Sequence, residues 1–178
     1  MTNQKYPTAM QLLHWIMAVL IIGMLVLGIY MDNLPEDAPN RIEFYLFHKS
    51  IGVLLLGLVI VRIATRLFST VPDMPEALPK REKMLAHWVH RLFYFGMVMA
   101  TFSGFIMSSA SPKRHGVEFF GYRLPDLPPS EFFYKLAHSL HAPIALLLII
   151  LIVLHVTAVI KHRFFDSKDK DVLKRMLP

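Results

Sequence analysis

The sequence predicts an all-α integral membrane protein, a four-helix bundle forming one membrane-embedded domain over residues 1–178. Three observations carry this reading: four long apolar segments, a composition 54% hydrophobic but only 18% charged, and a mean hydropathy of +0.45. Soluble domains of this length are seldom so poor in charge. Four spans of about 20 residues each use roughly half of the chain, leaving no room for a separate soluble catalytic domain.

The segments can be taken in order. Residues 6–31 carry no charge and contain the run HWIMAVLIIGMLVLGIYM, which sets a first span at 9–31. That run is long and lacks a small-residue cleavage site, so it is no signal peptide. The second span, 44–66, has a short uncharged centre between Lys49 and Arg62. It reaches spanning length only if both cations extend their stems toward the interfaces. Spans three and four, 88–110 and 137–161, have uncharged cores long enough to cross a bilayer. Between spans two and three lies the proline-rich turn VPDMPEALP; before span four lies PDLPPSEFF, where Ser130 is expected to cap a short surface helix preceding the span.

Loop charges set the orientation. The first loop holds Asp32, Glu36, Asp37 and Glu43 against Arg41, and should face outward. Loop two holds Arg62, Arg66, Lys80, Arg81, Lys83 and Arg91, and the tail holds Lys161, Arg163, Lys168, Lys170, Lys174 and Arg175. Both should be cytoplasmic, with the two termini. Loop three, with Lys113, Arg114 and Arg123, breaches this rule mildly. A net charge of +6 therefore reflects topology, and no nucleic acid partner is implied.

Cysteine is absent, which excludes disulfides, thiolate catalysis and cysteine-held iron–sulfur clusters. Nine histidines remain, several of them inside or at the ends of apolar segments, where polar side chains are costly. His141 and His155 are 14 residues apart, about 40° short of four helical turns and about 21 Å in rise. They share a face at opposite membrane depths. Antiparallel order brings His14 to the depth of His155 and His48 to that of His141. Two pairs so far apart cannot share one zinc ion, whereas two stacked haems each need an axial imidazole from either side. At the outer pair His138 is the alternative to His141, since it lies one turn away and Pro143 can bend the helix locally.

These residues resemble a known family. His14-Trp15 at the start of helix one, His48-Lys49-Ser50-Ile51-Gly52 at the start of helix two, Val61-Arg62 through Arg66-Leu67 at its end, Ala86-His87 with His90, His141 with His155, and the tail LKRMLP are similar to the bacterial cytochrome b561 family. The resemblance covers nearly the whole chain. It implies a multi-pass inner-membrane protein with two haem b groups that exchanges electrons with quinone. It also implies an oxidoreductase akin to the superoxide oxidases, which pass the electron of periplasmic superoxide to ubiquinone.

Within that frame other residues acquire two readings each. Arg62 either pairs with a haem propionate or anchors the inner interface. His87 and His162 either relay protons at a quinone site or are solvated interfacial histidines. Lys49, Lys113 and Arg114 either steer superoxide to the outer face, or Lys49 only extends its stem to the interface while Lys113 and Arg114 meet lipid phosphates. Among the glycines, Gly52 is the preferred point for close approach of a flat macrocycle, with ordinary packing the use of most others. The alternative function is a cytochrome b subunit taking electrons from a dehydrogenase or hydrogenase to quinone; a histidine-rich metal transporter is a third. Short outer loops and the lack of a fifth span favour the self-contained enzyme, with a homo-oligomer or a redox partner both left open.

Overall fold

The structure, a computed structural model, describes residues 5–113 and 116–177. Four helices dominate it: α1 Thr8–Asp32, α2 Arg41–Phe68, α3 Lys80–Ser109 and α4 Glu131–Phe164. All four are long and apolar enough to cross a membrane. Each starts before its predicted span, and all but α3, which ends at Ser109, also end after it, because charged flanks such as KREKMLAH of α3 continue the helical backbone past the apolar core. Pro7 and Pro79 stand immediately before α1 and α3, where their lack of an N–H costs nothing.

The short surface helix expected ahead of the fourth span does not exist as a separate element. Ser130 caps α4 itself, its Oγ accepting from the Phe133 amide at 3.4 Å, and 34 helical residues follow without a break. At about 1.5 Å per residue α4 is about 51 Å long, well over the roughly 30 Å of bilayer hydrocarbon. Its first turns therefore project beyond the apolar layer. Pro143 lies inside this helix, and the flanking turns carry the helix past it.

The helices pack in sequence order, α1 on α2, α2 on α3 and α3 on α4, while α4 meets neither α1 nor α2 in comparable backbone contact. Both termini lie at one end. There the Tyr6 amide donates to the Arg175 carbonyl at 3.0 Å and the Trp15 indole to the Met176 carbonyl at 2.8 Å. The opposite end carries a small antiparallel hairpin, β1 Glu118–Phe119 and β2 Tyr122–Arg123. Its two-residue turn has positive φ at both Phe120 and Gly121, the geometry that matches strand twist.

The protein interior is small and rests on side chains such as Met10, Met17, Leu55, Val59 and Leu148. Large apolar residues instead point outward along the helices, Val19 and Val26 among them. In water such a surface would associate; in a bilayer it is the solvated face.

Candidate functional site

Two pairs of imidazoles face one another, one toward each end of the bundle. At the hairpin end His48 of α2 meets His141 of α4, with ring centres 6.3 Å apart and planes at 77°. At the terminal end His14 of α1 meets His155 of α4, again at 6.3 Å, with planes at 65°. No hydrogen bond joins the rings of either pair. His138 points elsewhere: it is exposed and lies against Tyr134 with ring centres 5.8 Å apart.

This spacing can be tested against a haem. Two imidazoles that hold one metal from opposite sides, at bonds of about 2 Å, have ring centres roughly 6 Å apart. Both pairs meet that condition. Each joins α4 to a helix that stands apart from it, as a flat macrocycle between ligands would require. At His48 the Nδ1 atom is buried with no hydrogen-bond partner, a cost unless the ring serves some other bond. A Cβ added at Gly52, one turn after His48, would meet nothing within 4 Å. The residues fit the group.

A third imidazole approaches the terminal pair. His90 of α3 has its ring centre 5.9 Å from that of His155, and Phe93 adds an edge contact at 5.7 Å. Because α3 and α4 pack closely, His90 and His155 have no room for a macrocycle between their backbones, unlike His14 and His155. His90 also lines a cavity of about 420 Å³ with Tyr6, Arg66, Lys83 and His87. His87 itself is exposed, its Nδ1 2.8 Å from the Lys83 carbonyl oxygen.

His162 is brought to a different group. It is buried, and its Nδ1 lies 2.8 Å from Asp166 Oδ2. That bond holds the Asp166 carboxyl below the usual carboxylate range. Lys161 donates to Glu82 Oε1 at 2.6 Å and stands 3.7 Å from Asp166, so one cation bridges the two carboxylates and offsets part of their charge. Arg62 is half-buried and donates through one guanidinium nitrogen to the Met10 carbonyl, which ties α2 to the first turn of α1. This bond leaves its other nitrogens available to an acid.

At the hairpin end Lys49 donates to the Gly116 carbonyl at 3.1 Å and lies in the field of Glu118 and Asp126. Lys113 is exposed, and Arg114 lies outside the described residues. The charge above this pair is therefore mixed, with Arg123 and Asp126 joined at 2.9 Å.

Sequence reasoning missed Ser103, and it counted Gly104 among the glycines that could admit a flat macrocycle without linking it to His141. Both belong to α3 and touch the His141 ring: Ser103 Oγ is 3.1 Å from its Nδ1, and a Cβ on Gly104 would stand 3.1 Å from its Cε1. No fixed sequence interval links α3 to α4, so only helix packing reveals these contacts.

Four apolar helices that set paired imidazoles facing one another toward both ends define a membrane electron-transfer protein of the cytochrome b class. The family model described as prokaryotic cytochrome b561 matches residues 5–178. The chain is 30% identical to "Cytochrome b561 homolog 2" of Escherichia coli (strain K12) over 187 aligned positions, covering 99% of this chain and 93% of that protein. This protein belongs to the prokaryotic cytochrome b561 family, and is a multi-pass bacterial membrane protein.

Proposed function

We propose that this chain is a superoxide:ubiquinone oxidoreductase of the bacterial inner membrane, with its termini in the cytoplasm and its hairpin in the periplasm. The observation that carries the reading is the pair of 6.3 Å imidazole spacings, set about 21 Å apart in rise along α4. His48 with His141 and His14 with His155 would each hold one haem b, which supplies one-electron exchange at its end of the bundle. Because each pair commits both of its rings to the group, these residues would leave a small molecule no bonding position, and electron exchange would be by contact alone.

The balance is simple: two superoxide anions become two dioxygen molecules, and one ubiquinone takes up the two electrons and two protons. Lys49 and Lys113 add positive charge at the periplasmic end, where an anion must approach. At the cytoplasmic end the cavity lined by His87, His90 and Arg66 is of a size for a quinone head group. His87 and His90 present imidazole nitrogens to that cavity, and Arg66 favours an acidic oxygen. His162 with Asp166 provides a proton-holding pair near the same surface. Arg62, whose charge acts on His14, would neutralise a propionate there.

The test is to give purified protein superoxide and a soluble ubiquinone, and to follow both. Ubiquinol should form at one molecule per two superoxide anions consumed. Superoxide decay at its uncatalysed rate, with no ubiquinol, sinks the reading and leaves the carrier subunit as its successor. In the same preparations, His14→Ala or His155→Ala should remove one of two haems, and His48→Ala or His141→Ala the other.

A further inference from the structure

The four facing imidazoles are not equivalent. Among the described residues, no hydrogen bond reaches a ring nitrogen of His14, His48 or His155, whereas His141 Nδ1 lies 3.1 Å from Ser103 Oγ. Ser103 is buried, and its Oγ is also 3.1 Å from the Ala100 carbonyl oxygen. A carbonyl can only accept. The hydroxyl has a single hydrogen, so both contacts are satisfied at once only if Ser103 donates to Ala100 and accepts from the imidazole, whose N–H the Ala100 carbonyl also draws toward itself. That fixes the tautomer of His141: Nδ1 carries the proton and Nε2 keeps its lone pair. The next residue reinforces the placement, since Gly104 brings the α3 backbone against the edge of the same ring.

We propose that Ser103 is a positioning residue for His141, which locks the ring with Nε2 toward His48 and, through the Nδ1–H bond, sets the potential of the group held at the periplasmic end. The inference rests on the reading that His48 and His141 hold a haem. Outer hydrogen bonds of this kind orient a ligating imidazole and raise its basicity. A more basic ligand favours the oxidised metal, so the bond lowers the midpoint potential of this haem. Among the described residues the cytoplasmic pair has no such partner, which gives the two centres different electronic settings within one chain.

The experiment is a redox titration of the wild-type holoprotein, Ser103→Ala and Ser103→Thr, with low-spin electron paramagnetic resonance spectra and haem content for each. His141→Ala identifies which titration step belongs to the periplasmic haem. In Ser103→Ala that step should move to more positive potential and its spectrum should shift, while the other step stays in place. Ser103→Thr, which restores a hydroxyl, should return both toward wild type. If Ser103→Ala loses the periplasmic haem and Ser103→Thr retains it at the wild-type potential, the hydroxyl is again the deciding group. Two unmoved steps in Ser103→Ala overturn the proposal, as does loss of the haem in both variants. If His141→Ala keeps both haems, the ligand reading itself has failed, a result distinct from an unmoved potential.

Discussion

His48, Lys49 and Ser50 follow one another in α2, and a turn of about 100° per residue sends each to a separate task. His48 faces His141, Lys49 donates to Gly116, and Ser50 holds the hairpin by accepting from the Phe120 amide at 3.1 Å, its one hydroxyl hydrogen shared between the Leu46 and Glu118 carbonyls at 3.0 and 3.1 Å. The sequence presents the three as one motif; only the fold shows that two of them fasten the loop above the first. Glycines divide in the same way. A Cβ at Gly28 would sit an ordinary 3.7 Å from His48 Cε1, whereas one at Gly104 would crowd His141 Cε1 at 3.1 Å. On the proposed ligand assignment, Gly104→Ala should therefore shift the absorption and potential of the group held at His141, and Gly28→Ala should leave them unchanged. An identical response in the two variants would contradict this account.

At the scale of elements, the contact between α3 and α4 is the tightest constraint. A Cβ at Gly96 would come within 2.8 Å of Leu148 Cδ2, and Leu148 is buried with little freedom to move aside. Gly96→Ala should destabilise the protein by about 1–3 kcal/mol, as overpacking does. Adding Leu148→Ala should cost less than the sum of the two changes, which thermal unfolding in detergent would detect. Helix existence was legible from hydropathy because each span had to be apolar. Helix ends were not. The charged start of α3 and the merging of residues 131–136 into α4 depend on backbone hydrogen bonding that continues past the lipid layer, which composition does not report.

Over the whole molecule, the chain closes on itself at the terminal end. Asp171 is buried, accepts from Arg163 and from the Leu173 amide, and so fixes the tail that reaches Tyr6 and Trp15 of the N-terminal segment. Burial pushes the Asp171 carboxyl up, but the Arg163 bond and charge outweigh it and hold it below its ordinary 3.8. A depressed carboxyl contributes its full stability above the unfolded value and loses it as pH falls through the folded one. The tail should stay docked above about pH 5 and begin to loosen as pH drops below about 4. Asp171→Asn should weaken the docking by about 1.5–3 kcal/mol and abolish that acid transition. Hydrogen exchange at the Tyr6 amide and Trp15 indole reads both; unchanged protection in the variant would refute the clasp.

The sequence by itself determined the fold class and the family, because four uncharged spans and histidines spaced by helical rise are one-dimensional patterns. Antiparallel order and rise per residue place His14 level with His155 and His48 level with His141, and their rings meet there. Only the tertiary structure decided what surrounds those rings. Ser103 beneath His141, His90 beside His155, Arg62 on the α1 backbone and His162 on Asp166 are contacts between side chains distant in sequence or set by rotamer choice. Such contacts follow from how helices rotate and approach, and no periodicity along one strand of chain encodes the rotation of its neighbour.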